Sequence, residues 1–426
     1  MTRSFRDFLR SPDDPRIAGI DQRDAYSHAE HAWERPPVRA LLEGWLHKYR
    51  HEDFHGISCD GCCRPGLFRL QDEGAPLRAA VDAAGRLLAA CTPAQREALQ
   101  HPLAAREWRA WMNPEIYLQR FGLRMDEVGA ELRGPMLELL HASLSAAGFA
   151  RVRNLMRINH FLGELVNAPR VMNEYSYNLN LFGEPSATEP WGFNFYGHHV
   201  CLNVLFRQGQ MVATPVFFGA EPHHIDIGPF AGVREFEAEE RLALELMHGL
   251  PAPLQREAQL YAHKRDPAMP PGRVAFADEL NLAGAFQDNR IIPLEGPCVA
   301  RFDALQRRRL MDLVAAYLAY LPEGPRAARL EDFERHLGET HFCWIGGTGD
   351  DDPFYYRIQG PVLLIEFDHH AGVFLGNPTP QRFHVHTVVR TPNGNDYGMA
   401  VVRRHCEQLQ QTLQGTGPHT QSACGA

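Results

Sequence analysis

The sequence carries no excess of positive charge. It has 43 lysine and arginine residues against 52 aspartates and glutamates, which gives a net charge of -9. A protein that binds a phosphate backbone needs a cationic surface, and this charge balance does not supply one. We therefore expect no nucleic-acid partner.

Long apolar runs are also absent from the sequence. No stretch reaches the roughly 18 apolar residues of a membrane span, and the first residues have no apolar core between their charges. The nine cysteines are an odd number, so at least one stays unpaired, which is typical of a reducing compartment. We expect a cytoplasmic protein without a membrane partner. The oligomeric state is not predicted.

Three common catalytic signatures are missing too. The chain contains no Gly-x-x-x-x-Gly-Lys-[Ser/Thr] phosphate loop and no strand followed by Gly-x-Gly-x-x-Gly, which are the signals of nucleotide and dinucleotide folds. It also lacks the Gly-x-Ser-x-Gly elbow of serine hydrolases. The usual signals for these three functions are therefore not present.

The hydrophobic pattern changes along the chain. Hydrophobic residues make up 44% and charged residues 22%, an ordinary globular mixture. Residues 76–170 repeat apolar positions with a helical period, whereas residues 171–412 contain several β-rich runs. This order predicts an α+β fold, in which a mostly antiparallel central sheet is covered by helices, with an N-terminal helical layer.

We expect three parts along the chain. Residues 1–75 form an N-terminal arm with a Cys/His-rich segment, a short helix at 41–49 and a strand at 64–70. Residues 76–412 form a single α+β catalytic domain, because no linker or repeat divides them. Residues 413–426 form a disordered tail.

Histidine is the one abnormal count, at 22 residues. Imidazole is the commonest metal ligand and titrates near neutrality. Side chains alternate along a strand, so His384 and His386 share one face of the run RFHVHTVVR. In the run HVCLNVLF the apolar residues take one face and leave His199 on the other. We therefore predict a metal site formed by His198, His199, His384 and His386.

A carboxylate and an arginine lie on predicted strands close to these histidines. Glu366 interrupts the apolar run VLLIEFD, and a buried charge needs a partner. Arg390 shares a strand face with His386, where it either anchors a substrate carboxylate or pairs with Glu366 or Asp368. On this basis the expected catalytic residues are His199, Glu366 and Arg390.

Several aromatic and polar residues surround the same runs and predict a substrate pocket. Aromatic residues beside strands are also typical of an ordinary core, so this alternative stays open. The expected pocket residues are Glu174, Tyr177, Trp191, Asn203 and Trp344.

Two further groups of metal-binding residue types occur in the sequence. The segment HEDFHGISCDGCC contains a Cys-x-x-Cys at Cys59 and Cys62, a fragment of a structural zinc site. Its second Cys-x-x-Cys is missing, so free thiols or a redox pair are alternatives. The pairs His223-His224 and His369-His370 lie in loop-like sequence, and we expect them to be solvated.

The ligand set decides which chemistry is expected. Imidazoles with at most one carboxylate suit iron, copper or zinc. We expect a transition metal, with iron or copper favoured, in an enzyme that acts on a small organic molecule as an oxidoreductase or oxygenase. A zinc-dependent hydrolase is one alternative. A metal-independent enzyme or small-molecule binding protein is the other.

Five motifs resemble a known family. In chain order they are EPWGFNFYGHHVCLN, TPVFFGAEP, GPFAGVREFEAEERLALEL, FYYRIQGPVLLIEFD and HVHTVVRTPNGNDYG. Together they are similar to the bacterial and fungal family named domain of unknown function 3500, over roughly Trp108 to His405. The resemblance implies that the Gly-His-His and His-x-His elements occur in a shared framework, but it implies no activity.

Overall fold

The computed structural model describes residues 4–415. Of the predicted disordered tail, residues 413–415 belong to the last helix and residues 416–426 lie outside the described residues. The described part of the chain forms eleven α-helices: α1 Ala25–Glu34, α2 Pro36–His51, α3 Leu77–Ala90, α4 Pro93–Leu99, α5 Ala130–Ser143, α6 Ala146–Leu165, α7 Glu237–Gly249, α8 Ala252–Ala258, α9 Ala304–Tyr317, α10 Glu323–Arg335 and α11 Met399–Gly415.

The same residues form eleven strands that all belong to one sheet. The strands are β1 Gln100–His101, β2 Leu123–Arg124, β3 Tyr177–Phe182, β4 Trp191–Gly197, β5 Val200–Arg207, β6 Gln210–Ala220, β7 Gln259–Tyr261, β8 His341–Gly346, β9 Phe354–Gln359, β10 Leu364–His369 and β11 Val385–Arg390. Their order is β1-β3-β4-β5-β6-β11-β10-β9-β8-β7, with β2 paired to β3. Of the pairs of neighbouring strands in residues 4–415, only β1 with β3 and β7 with β8 are parallel. The predicted α+β fold with a mostly antiparallel sheet is confirmed.

Two antiparallel meanders meet in the middle of this sheet. One runs from β3 to β6 and the other from β8 to β11, and they join where β6 pairs with β11. In that pairing His386 lies opposite Gly219, and on the other side of β11 it lies opposite Asp368 of β10. The junction therefore brings residues from distant parts of the chain to the centre of the fold.

One face of the sheet is covered by helices. The apolar sides of α3, α5, α6, α7 and α9 pack in one large buried cluster with strand residues such as Leu202 and Val385. Local sequence starts these helices: at α9 the Asp303 carboxylate accepts hydrogen bonds from the backbone of Leu305 and Gln306, and the Gln306 side chain accepts one from the Asp303 backbone. The predicted helical cover is thus present.

The other face meets the N-terminal arm. Leu42 and Trp45 of α2 are buried in a second apolar cluster, together with Phe217 of β6 and Val388 of β11. Between these apolar contacts the same face carries His386 and Arg390, both buried. Polar side chains enclosed in this way lie between the sheet and the arm, which is where a site can form.

Several predicted elements differ from the structure. The predicted strand at 64–70 does not pair with the sheet, since its Phe68 and Arg69 carbonyls accept bonds from side chains instead. The helix predicted at 41–49 extends over Pro36–His51. Strands β3 and β4 are not predicted from sequence, because their glycines and asparagines lower β-propensity. No helix of the described residues is both long enough and apolar enough to cross a membrane.

Candidate metal centre

Three imidazoles converge between β11 and the turn that joins β4 to β5. The Nε2 atom of His386 lies 3.1 Å from Nε2 of His199 and 3.1 Å from Nε2 of His384. All three side chains are buried, and their ligand atoms lie within 4.8 Å of one another. We call this set the imidazole triad. Its spacing is compatible with nitrogens that each lie about 2.0–2.1 Å from one shared ion.

Hydrogen bonds cannot join all three rings of the triad. The Nδ1 atom of His384 lies 2.8 Å from the Ala371 carbonyl oxygen, so it must carry the hydrogen and leave a lone pair on Nε2. In a neutral ring the Nε2 atom of His386 carries either a hydrogen or a lone pair, so only one of its two contacts can be a linear hydrogen bond. A cation among the three nitrogens would satisfy every lone pair at once. The donor set therefore fits a metal ion.

The electrostatic environment keeps two of these rings neutral. Burial, together with the neighbouring imidazoles, lowers the pKa of His199 and of His386 well below the usual value for histidine. Metal binding requires the neutral form of imidazole. His199 and His386 are therefore ready to bind a metal without first losing protons at neutral pH.

The backbone of His199 is strained to place its ring. His199 has φ 64°, in the left-handed region, which for most side chains costs about 1–2 kcal/mol. Its N–H donates to the Asn113 carbonyl at 3.0 Å, and its own carbonyl accepts from the Gly219 N–H at 2.8 Å. These bonds hold the turn in the conformation that directs the imidazole toward His386.

Gly219 leaves room for two of the ligand rings. A methyl group on Gly219 would lie 3.0 Å from Cδ2 of His199, 3.0 Å from Cδ2 of His386 and 2.9 Å from the Val385 carbonyl oxygen. These contacts are tighter than ordinary van der Waals distances. The triad therefore requires a residue without a side chain at position 219 of β6.

We expect the Gly219→Ala variant to bind metal about 10- to 100-fold more weakly, which is the usual effect of displacing groups that orient metal ligands. The matched control is Gly134→Ala on α5, where an added methyl group meets nothing within 4 Å. Gly134→Ala should keep its metal and gain up to about 1 kcal/mol of stability. Competition with a chromophoric chelator measures both affinities, and equal affinities in the two variants would contradict this role of Gly219.

His198 lies beside the triad but is not part of it. Its ring stacks on His199 with centroids 3.8 Å apart, and its Nδ1 lies 2.8 Å from the Asn159 side-chain oxygen. Burial lowers the pKa of His198 to about 4. The structure thus places the predicted ligand His198 as a neutral ring that supports His199.

A second group of potential metal ligands adjoins the triad and consists of Glu279, Asp368 and His370. The His370 ring packs 3.8 Å from the His386 ring, and its Nε2 lies 3.1 Å from Asp368 Oδ2 without hydrogen-bond geometry. Lys264 pairs with Asp368, and Arg265 pairs with Glu279. Because Lys264 and Arg265 already occupy these carboxylates, the imidazole triad is the better metal site.

The pair His369-His370 contradicts the expectation that it is solvated. Both side chains are buried, at 0% and 2% exposure. His369 accepts a hydrogen bond from the Phe354 N–H and lies 3.0 Å from Glu240. The pair comes at the end of an apolar strand. In the fold His370 lines the cavity, whereas His369 packs against Phe354 and Phe367 beside α7. His223 and His224 are partly buried and lie outside the triad.

A cavity of about 570 Å³ opens onto the triad. His199 and His386 line its buried end together with His370. Apolar side chains form much of its wall, including Val38, Trp45, Ile116, Phe276 and Phe374. A cavity of this size, mostly apolar with a few polar groups, is typical of small-molecule sites.

Asn113 provides an unused polar atom at this cavity. Its side-chain Nδ2 donates to Asp278 at 3.3 Å, whereas its Oδ1 is buried with no hydrogen-bond partner in the described residues. Burial, with Glu366 nearby, raises the pKa of Asp278 to about 7. Asn113 lines the cavity and also fixes the backbone of His199. Its oxygen is available to accept a hydrogen bond from a ligand.

Two predicted catalytic residues are not brought to the triad. Glu366 accepts hydrogen bonds from the backbone of Leu282 and Ala283 and from the Tyr355 hydroxyl. Arg390 does not pair with Glu366 or Asp368. Its guanidinium pairs instead with Asp288 at 2.7 Å and with Asp396 at 3.2 Å. Neither side chain lines the cavity.

The predicted pocket residues also lie elsewhere. Trp191 and Trp344 are fully buried and stack on Phe206 and Tyr356, as core residues do. Tyr177 donates to the His198 carbonyl, Asn203 donates to the Pro215 carbonyl, and Glu174 pairs with Arg153. The core alternative describes the two tryptophans, and the actual wall combines part of the N-terminal arm with the segments around Asn113, Phe276 and Phe374.

Cys59 and Cys62 are exposed free thiols. In residues 4–415 no group of three potential ligands includes either of them. The zinc site predicted there lacks a third ligand in this arrangement.

Comparisons with known proteins bear on the family alone. A sequence model of the family described as "Protein of unknown function (DUF3500)" matches residues 73–399. No curated protein and no solved structure matches the chain.

Proposed function

This chain belongs to the DUF3500 family, and because that family name assigns no activity, we propose its function from the geometry of the site. The chain is a metal-dependent enzyme in which His199, His384 and His386 hold one transition-metal ion, and it acts on a small organic molecule bound in the cavity. The observation that carries the proposal is the convergence of three buried Nε2 atoms with too few hydrogens to bridge them.

An oxidoreductase or oxygenase is the favoured reaction class, with iron or copper as the metal. Imidazole ligands suit both metals. When bound, either metal supplies electron transfer with dioxygen, which is the oxidant this class uses. The largely apolar wall, including Trp45 and Phe374, supports this choice because it keeps water away from a reactive centre.

The chain's own residues position the ligands and the substrate. The Ala371 carbonyl fixes the hydrogen of His384 on Nδ1, and the stacked ring of His198 limits rotation of His199. Asn113 Oδ1 accepts a hydrogen bond from a hydroxyl or amino group of the substrate beside His199. The arm closes the opposite wall and excludes water.

A zinc-dependent hydrolase is the second candidate. One observation favours it: the triad consists of three imidazoles and opens on one side to a cavity, which is the arrangement of catalytic zinc sites that bind a hydroxide. The two candidates share the same ligands and differ in the metal.

We also propose that the protein works in the cytoplasm. The support is the state of the cysteines: the eight cysteines of the described residues are all free. Free thiols persist in a reducing compartment.

Elemental analysis of untagged protein, purified without chelator, tests the proposal. We expect about one equivalent of iron or copper in the wild type and none in the His384→Ala/His386→Ala variant. One equivalent of zinc with the same loss would favour the hydrolase. Absence of metal from the wild type would overturn the metal-dependent function and leave the histidines as acids, bases or hydrogen-bond anchors.

A further inference from the structure

We propose that the substrate is an organic carboxylate whose anionic group binds Arg35 and Arg16 at the mouth of the cavity. The inference rests on the proposed function, since it specifies the substrate class of that same site. It concerns the exposed part of the cavity, where no ligand or role has been assigned.

The charge of the cavity differs from that of the chain. The chain has a net charge of -9. Three arginines, Arg16, Arg35 and Arg265, line the cavity against two carboxylates, Glu115 and Glu279. A cavity in which arginines outnumber carboxylates attracts an anion, although the chain as a whole is negative.

The arginines differ in how far they are already paired. Arg265 bonds to Glu279 at 3.1 Å and to the Pro378 carbonyl at 3.0 Å, so its fork is occupied. Within the described residues the Arg16 side chain donates one hydrogen bond, to the Gly372 carbonyl at 3.3 Å. Arg35 is exposed and makes no ion pair within the described residues. Arg35 and Arg16, which both line the cavity, therefore have donors left for a ligand.

The two carboxylates of the lining do not compete for Arg35. Glu115 pairs with His28 at 2.9 Å, and although burial opposes its ionisation, this bond holds the pKa of Glu115 at about 2. Glu279 bonds to Arg265 and to the Ala371 N–H. The donors of Arg35 thus stay free for an anionic ligand, and a carboxylate matches the planar guanidinium fork.

The residues that line the cavity differ in their exposure to solvent. Its imidazole end is buried, with His386 at 3% exposure, whereas Arg16 and Arg35 are exposed. Apolar residues such as Trp45 and Phe374 line the wall between them. A ligand with an apolar body thus places its carboxylate at the mouth and its opposite end at the triad.

The anchor comes from a different part of the chain than the triad. Arg16 and Arg35 precede residue 73, where the family match begins, whereas His199, His384 and His386 lie within it. The arm therefore adds the carboxylate site to a centre that the family region supplies.

A matched pair of ligands tests the inference: 4-phenylbutyrate and its neutral amide, 4-phenylbutyramide, titrated by isothermal calorimetry into full-length protein as purified. We expect the carboxylate to bind at least about 10-fold more tightly at low salt, the usual effect of a hydrogen-bonded charged group. The Arg16→Met/Arg35→Met variant should lose this preference. Arg39→Met is the control, because Arg39 is exposed on the helix that Arg35 precedes and does not line the cavity.

The His384→Ala/His386→Ala variant separates this inference from the proposed function. A preference that persists in this variant and disappears in the double arginine variant supports an arginine anchor whether or not the metal is present. A preference that disappears in the histidine variant and persists in the arginine variant would show the carboxylate on the metal and overturn the anchor. Equal binding of acid and amide to the wild type would also overturn it, while leaving the metal analysis untouched.

Discussion

Replacing His386 by alanine is expected to weaken metal binding by about 100-fold or more. His386 is the central member of the triad, because its Nε2 is the atom that contacts both other ligands at 3.1 Å. The binding free energy of zinc at structural sites with four ligands is about 10–16 kcal/mol, which is roughly 3 kcal/mol per ligand. The same variant should lose catalytic activity with the metal. A competition titration with a chromophoric chelator measures the change.

Folding should survive this substitution. The Nδ1 atom of His386 has no hydrogen-bond partner in the described residues, and its Nε2 contacts only the other two imidazoles, so its removal costs no hydrogen bond to the rest of the fold. His223→Ala is the control: it removes a partly buried imidazole that also has an unpaired Nδ1 but lies outside the triad. Circular dichroism should show both variants folded. Undiminished metal affinity in the His386→Ala variant would rule out the triad as the metal site.

The largest effect on stability is expected at Asp288. Its buried carboxylate pairs with Arg109 at 2.8 Å and with Arg390 at 2.7 Å, and it accepts a bond from the Tyr397 hydroxyl at 2.9 Å. Asp288→Ala would leave two buried guanidinium groups without this partner. Breaking a buried pair costs about 3–5 kcal/mol. Urea denaturation should show this loss in the free energy of unfolding.

Asp53→Ala is the control for this prediction. Asp53 also pairs with an arginine, Arg106, but its side chain is 79% exposed, so the loss should stay below about 1 kcal/mol. The comparison also tests the position of Arg390, which shares the network. Unchanged stability of Asp288→Ala, together with weaker substrate binding, would show that Arg390 serves the substrate rather than the fold.

The sequence alone predicts the part of the site that lies on one strand. His384 and His386 are two residues apart in a β-rich run, and alternation along β11 places them on one face. The same rule separates His199 from the apolar face of β5. These predictions need no knowledge of which strands are neighbours.

Register between strands cannot be read from alternation. Glu366 and Asp368 share a face of β10, but pairing with β11 sets Asp368 opposite His386 and Glu366 opposite Val388. The carboxylate nearest the triad is therefore not the one predicted. Gly219 is missed for the same reason, since its role depends on lying opposite His386 across β6 and β11.

The wall of the cavity depends on tertiary contacts that no local pattern encodes. Trp45 and Val38 repeat with a helical period, which predicts an amphipathic helix but not the surface it covers. Arg35 lies at the boundary of two helices and has no sequence signal of its own. In the sequence His370 follows an apolar strand and resembles a loop residue, but in the fold it is buried.

X-ray absorption spectroscopy at the metal edge of the purified protein tests whether the imidazole triad holds a metal ion. We expect nitrogen ligands at about 2.0–2.1 Å with the outer-shell scattering of imidazole from three histidines, and loss of the edge in the His386→Ala variant. A sulfur ligand at about 2.3 Å would place the metal on cysteine and rule out the triad. So would a metal edge that is unchanged when His386 is replaced.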